Sequence, residues 1–168
     1  MTPEDTPLAA RPAPAPAAGT RHLDDFAVGE RFVSRGATLT EAQILDFAWQ
    51  WDPQPFHLDA EAAADWGFGG LIASGFQTLL VGFRLFYQEN VWNAASLGSP
   101  GLDEIRFLRP VRPGDTIHTE AEVLEVRPSR SKVDRGSLRM RYEVVNQAGE
   151  PVLSFVAIQI LRRRVEGA

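Results

Sequence analysis

Apolar and polar positions along this chain fall into two regimes that change over near residue 100. Thr40-Glu-Ala-Gln43 has the form of a capping box, with a Thr N-cap and Gln at N3. The run Glu41 to Trp51 behind it carries apolar side chains at Ile44, Leu45, Phe47, Ala48 and Trp51, which is helical spacing, and Pro53 stops it. A loop-rich stretch follows, broken by a short helix over Ala60 to Trp66. Ser74 opens a second helix running to about Asn90. Its apolar residues (Phe76, Leu79, Leu80, Val81, Phe83, Leu85, Phe86) cover most of the circumference, so this helix is expected to be enclosed by other structure.

Beyond Leu102 the period shortens to two. Ile117, Thr119, Ala121 and Val123 alternate with His118, Glu120 and Glu122. Leu138, Met140, Tyr142 and Val144 alternate with Arg139, Arg141 and Glu143, and 152–161 is a denser apolar run. Such patterning predicts antiparallel strands with one solvated face. Turn signals lie at Arg112-Pro-Gly-Asp115, Arg127-Pro-Ser129 and Asn146 to Pro151, and Arg31 to Ala37 reads as a further short strand. The sum is an α+β domain: a curved antiparallel sheet packed around one buried helix.

Composition narrows what such a domain does. At 168 residues the chain is one domain with a substantial core. A net charge of -5 argues against binding a nucleic-acid backbone, and the four Trp residues read as core or interface rather than a base-stacking platform. The absence of cysteine excludes disulfides, thiolate catalysis and Cys-ligated metal sites, and three scattered histidines make a His-rich metal site a poor fit. Residues 1–20 are Ala/Pro-rich with early acids, which fits a disordered or polyproline-like tail and neither a secretory signal nor a transit peptide. No apolar stretch is long enough to span a membrane. A cytoplasmic protein is the expectation, with a tail over 1–20 and a single domain over 21–168.

The segment Asp52-Pro-Gln-Pro-Phe-His57 carries the candidate chemistry. Pro53 and Pro55 each remove an amide donor and bias the preceding residue away from helix, so an extended or turn-like, non-helical loop is expected. It sets a carboxylate and an imidazole five residues apart. Two readings are open: Asp52 caps a turn and His57 is a solvated loop residue, or the pair performs acid–base chemistry. The glycine-rich run Gly67 to Gly75 ends where the second helix begins. Amides at a helix start, approached closely past a glycine, suit an oxyanion; the alternative is a loop required only for packing. This run matches neither a Walker A loop nor a dinucleotide fingerprint. His118 reads as a strand-face residue and His22 as a solvated one. Arg162-Arg-Arg164 reads as a solvated strand end or a phosphate contact.

Asp52-Pro-Gln-Pro-Phe-His57-Leu-Asp, followed by Phe68-Gly-Gly-Leu-Ile-Ala-Ser-Gly75, resembles the MaoC-like acyl dehydratase family, which includes the (R)-specific enoyl-CoA hydratases. That family's motif reads roughly Asp-x-Asn-Pro-x-His-x-Asp and then Gly-x-Ile-x-His-Gly at the start of a long helix. The likeness runs on through Gly101 to Asp115 and covers roughly residues 22–163. It implies a hot-dog fold, a long helix wrapped by an antiparallel sheet. It also implies a hydratase or dehydratase acting on CoA or acyl-carrier-protein thioesters. In it Asp52 and His57 activate water and the Gly75 amide holds the thioester oxygen. No metal or redox cofactor is implied, and neighbouring subunits pair as a homodimer or larger assembly. Gln54, Ser74, Phe76, Arg109 and Arg112 are the expected substrate-binding residues. Two departures stand out: Gln54 replaces the usual Asn, and Ser74 replaces the His that commonly precedes the helix glycine. The competing readings are a hot-dog thioesterase, disfavoured because residues 74–88 hold no Asp or Glu, and a non-catalytic acyl-thioester-binding or structural subunit.

Overall fold

A computed structural model describes residues 21–164 of the chain, so the expected tail over 1–20 lies outside the described residues. Thr40 caps the first helix, α1 (Glu41–Trp51), as its sequence predicts. Its side chain accepts the Gln43 amide at 3.3 Å and the Gln43 side chain returns to the Thr40 amide at 2.9 Å. Asp52 closes α1 with a non-helical backbone (φ -150°, ψ 71°) ahead of Pro53. The expectation of an entirely non-helical loop fails here. Pro55 to Leu58 form a single helical turn, α2 (Pro55–Leu58), with Pro55 at its first position. A proline is tolerated there because that amide has no intrahelical acceptor to lose. Asp59 accepts the amides of Glu61 and Ala62 to start α3 (Ala60–Asp65). The loop behind it turns on Gly67, Gly69 and Gly70, all with positive φ.

α4 (Gly75–Tyr87) is the long helix, with Ser74 as its N-cap. It lies against the sheet along Gln77, Thr78, Gly82, Leu85 and Phe86, all buried. Gly82 permits the closest approach: its carbonyl accepts from Thr119 Oγ1 at 2.8 Å, and a Cβ there would meet Val144 Cγ2 at 2.4 Å. The expected all-round enclosure is not observed. Phe76, Leu80, Phe83 and Tyr87 form one exposed stripe, with Phe76 and Leu80 61% and 56% accessible. The stripe follows i, i+4, i+7 and i+11; its first member, Phe76, meets Phe107 edge-on at 6.2 Å, and Leu80, Phe83 and Tyr87 continue it along the exposed side of the helix.

Six strands make the sheet: β1 (Arg31–Val33), β2 (Ala37–Thr38), β3 (Gly101–Phe107), β4 (Thr116–Pro128), β5 (Arg135–Val145) and β6 (Pro151–Arg162). Their order is β1-β4-β5-β6-β3, with β2 also on β4, and every pairing is antiparallel. The predicted strand over 31–37 is split in two at Ser34, whose amide still bonds the Thr119 carbonyl at 2.8 Å while its hydroxyl accepts the Thr119 amide at 2.9 Å. The turn expected at Arg127-Pro-Ser129 comes later, because β4 continues through Pro128. The alternation seen in the sequence is the inside–outside register itself. Ile117, Ala121, Val123, Leu138, Met140, Tyr142 and Val144 face α4 with almost no exposure. On the outer face Glu122 joins Arg141 at 2.7 Å and Arg31 at 3.6 Å. Of the four Trp residues only Trp92 is in the core; Trp49, Trp51 and Trp66 are exposed on the chain. His22 is half-buried at the cap of a 3₁₀ turn rather than solvated. The architecture is the hot-dog arrangement that the resemblance implied.

Candidate active site

Asp52 stands at the C-cap of α1 and His57 inside α2, so two elements broken by Pro53 and Pro55 set the carboxylate and imidazole side by side. His57 Nε2 lies 3.4 Å from Asp52 Oδ2. The other ring nitrogen, Nδ1, is 2.8 Å from the Ile72 carbonyl. A carbonyl only accepts, so Nδ1 carries the proton and Nε2 is the nitrogen whose protonation can change. Ile72 is itself fixed, its amide bonding the Phe56 carbonyl at 3.3 Å while the next amide, of Ala73, bonds Val111 at 2.8 Å. The His57 ring is buried and braced edge-on by Phe56, which also touches Trp66 and Phe68.

Asp52 is held by two neutral donors. Ser74 Oγ donates to Oδ2 at 2.6 Å and Gln54 Nε2 to Oδ1 at 2.8 Å. Burial pushes this carboxyl up, but the bonds from Ser74 and Gln54 and the nearby His57 charge outweigh it, leaving Asp52 below its ordinary value. Asp52 is therefore a carboxylate at neutral pH. Ser74 serves both motifs at once, because the oxygen that donates to Asp52 also accepts the Phe76 amide at 3.1 Å as the cap of α4. At the first position of that helix, the Gly75 amide has no intrahelical acceptor. A Cβ on Gly75 would lie 2.5 Å from the Phe107 ring, so glycine is what lets this ring close over the helix start.

Asp52, His57 and Gly75 face one cavity of about 410 Å³. Its apolar walls come from Phe56 and Phe68, from Phe76 of α4, from Phe107 and Val152 of the sheet, and from Leu108 just past the end of β3. Gln54, Phe76 and Arg109 line it; Ser74 touches it only through Asp52. Arg109 stands at its rim, donating to the Pro151 carbonyl at 2.8 Å with Glu150 at 3.6 Å. Arg112 lies off the cavity and instead holds the Phe68 carbonyl, fastening the glycine loop. His118 bonds Glu120 at 3.1 Å on the outer face, far from this group. The sequence offered no sign of Phe107, Leu108 or Val152, because apolar residues at strand ends read as ordinary core.

The chain belongs to the MaoC-like domain family, whose model matches residues 25–146. That family includes hydratases and dehydratases. Among its relatives, the 3-hydroxyacyl-thioester dehydratase Z of Mycobacterium tuberculosis is 30% identical over 139 residues, covering 78% of this chain and 92% of that one. The YdeM protein of Bacillus subtilis is 34% identical over 125 residues, 74% of this chain and 87% of its own. The crystal structure of a MaoC-like dehydratase from Rhodospirillum rubrum superposes with a TM-score of 0.79 at 39% identity, over 86% of this chain and 99% of that one. The unliganded R-hydratase PhaJ1 from Pseudomonas aeruginosa gives 0.67 at 27% identity, over 88% and 92%.

Proposed function

We propose that this protein adds water to trans-2-enoyl thioesters of CoA or acyl-carrier protein, or removes it from (R)-3-hydroxyacyl thioesters in reverse. One observation carries the reading: a buried imidazole paired with a half-buried carboxylate, and a helix-start amide with no intrahelical acceptor, face the same apolar cavity. With Nδ1 committed to Ile72, neutral Nε2 and the Asp52 carboxylate are both acceptors. They do not bond each other, and a water donating one hydrogen to each has its oxygen lone pairs left for C3. As the C3–O bond forms, one water proton passes to Nε2 and the alkene electrons move onto the thioester oxygen. The Gly75 amide receives that oxygen, where a donor at the positive end of α4 opposes the new charge. Asp52, ionised throughout, stabilises the imidazolium, which then returns its proton to C2. The reverse sequence expels water.

Hydrolysis of the thioester has less support. The nearest acidic residue after α4, Glu89, sits at the far end and bonds the backbone and side chain of Arg35 at 2.9 and 3.0 Å. A single domain over 21–168, a cytoplasmic location and a homodimer or higher homo-oligomer belong to the same proposal. The exposed stripe Phe76, Leu80, Phe83 and Tyr87, beside the free edge of β3, supports the dimer. Among the described residues no helix is long and apolar enough to cross a membrane. The direct test follows loss of the conjugated thioester absorbance with short and medium trans-2-enoyl-CoA and matching carrier-protein substrates. Wild type is expected to turn over and an Asp52→Asn/His57→Ala double variant to fall to background. Equal near-background rates for both across the panel would overturn the reading.

A further inference from the structure

At the opposite end of the sheet a second cavity of about 350 Å³ is lined by three arginines, Arg127, Arg130 and Arg135, with the hydroxyl residues Ser129 and Ser137. Arg127, Ser137 and Ile160 sit side by side across β4, β5 and β6 in register, while their neighbours Leu138 and Leu161 point into the core. This cavity therefore opens on the outer face. Arg162 pairs in register with Arg135 and adds a fourth cation beside it.

Arg135 is matched by Asp134 at 2.8 Å, but Arg127, Arg130 and Arg162 have no acidic partner among the described residues. The adjoining arginines are paired: Arg163 and Arg164 bond Asp24 and Asp25, and Arg141 bonds Glu122. Glu125, the neighbouring acidic position on the same strand face, makes no ion pair with Arg127. In a chain of net charge -5, unneutralised guanidinium groups gathered around one hollow form a local reversal of sign. Guanidinium forks match phosphate oxygens bidentately, serine hydroxyls add further donors, and Pro128 and Ile160 supply an apolar floor. The volume is that of a small-molecule site rather than a single-ion cleft.

We propose that this cavity binds a phosphate-bearing molecule of nucleotide size. It is separate from the thioester site. Val152 lines that site and Ile160 lines this one, eight residues apart on β6, or roughly 26 Å at about 3.3 Å per residue. Two sources share the required chemistry: a free nucleotide, and the nucleotide handle of a CoA thioester bound by another copy of the chain. The site stands apart from the hydratase reading, and only the second source rests on it.

Calorimetry with ADP and with adenosine 3′,5′-bisphosphate tests the proposal on the full chain. Wild type and an Arg35→Gln control are expected to bind saturably, one molecule per chain, with affinity falling as salt rises. Arg127→Gln/Arg130→Gln, two exposed changes checked for an unaltered melt, is expected to bind on the order of tenfold more weakly or worse. Equal affinity in the double variant and wild type, or no saturable binding to wild type at millimolar ligand, overturns the site. The source is read from kinetics. A rise in KM confined to crotonyl-CoA, with the crotonyl-pantetheine KM unchanged, assigns the CoA handle; unchanged KM for both, with nucleotide binding lost, assigns a free nucleotide. Either pattern supports the site, and absent turnover would remove the hydratase reading while leaving the calorimetric test intact.

Discussion

Replacing Gly75 by alanine separates the role of the helix start in catalysis from its role in folding. The added Cβ would sit 2.5, 2.7 and 2.9 Å from three ring atoms of Phe107. Comfortable carbon contacts are about 3.5–4.0 Å, so the ring must withdraw by about 1 Å. Phe107 is 56% exposed and can turn outward, at about 0.5–1.5 kcal/mol for a strained rotamer. Against this, alanine gains up to about 1 kcal/mol of helix propensity over glycine. The two nearly cancel, and a net change within about 1 kcal/mol moves Tm by no more than roughly 4 °C in a chain of this size. Activity does not share that cancellation. A methyl between the Gly75 amide and Phe107 displaces the thioester oxygen, and a misplacement of about 1 Å costs on the order of 100-fold. The amide acts on charge that develops during the reaction, so kcat falls more than KM rises. Enoyl-thioester hydration kinetics beside a thermal melt read both quantities. Wild-type kcat/KM in Gly75→Ala, or a loss of stability large enough to explain the lost rate, would refute this reasoning.

Ser74→Ala removes a donor to Asp52 and the cap of α4 together. Asp52 is depressed in the fold, so its contribution to stability is present above its unfolded value and is lost as pH falls through the folded one. Without Ser74 the carboxyl rises, the acid limb of kcat/KM moves to higher pH, and stability at neutral pH drops by about 1–3 kcal/mol; a pH profile superimposable on wild type would contradict this. Gly136→Ala sets a Cβ 2.4 Å from the Arg127 carbonyl oxygen, 2.5 Å from Leu23 Cδ2 and 2.8 Å from Pro128 Cα, where backbone cannot yield cheaply. It is expected to lose about 1–3 kcal/mol or more, whereas Gly101→Ala, with open space around it, melts as wild type; identical melts for the two would sink the packing account. Leu80→Glu places a charge in the exposed stripe of α4 and is expected to convert a dimer to monomer by light scattering, an expectation that fails if the variant keeps the wild-type mass.

The elements that could be read from sequence are those whose signals are local. Thr40 and Gln43 mark the start of α1 and Pro53 its end, and the two-residue period of β4 and β5 is the imprint of one core-facing side. The errors have equally local causes. Pro55 lacks an amide, which argues against helix in its interior, yet at the first helical position that lack carries no cost, and His57 ends up on a helical turn. The apolar count of α4 does not distinguish a side chain facing the sheet from one facing outward; only the spacing of Phe76, Leu80, Phe83 and Tyr87 does. In the candidate site, Asp52 and His57 are near in sequence and their proximity is legible. The Ser74 hydroxyl reaches Asp52 across 22 positions, and Phe107 and Val152 reach the cavity from strands that pair late in the chain. Nothing in the residues around Ser74 announces that contact, because it exists only once α4 has docked.

The two edges of the sheet are unlike, and that bears on how copies of this protein can associate. One edge offers the three residues of β1 and the two of β2, whereas β3 offers seven interrupted by a register shift between Asp103 and Arg106, where Glu104 takes a positive φ of 55°. Open-ended growth would require the β1 and β2 edge to zip onto a β3 edge, copy after copy. A short, split ladder meeting an irregular one leaves most of the exposed amides and carbonyls unmatched, so each added copy gains little. A β3 edge meeting its own copy about a two-fold axis faces no such mismatch of length, and it ends with both long edges consumed. The inequality of its edges thus disfavours open-ended growth: the proposed pairing through β3 would close after one step instead of propagating into a fibre.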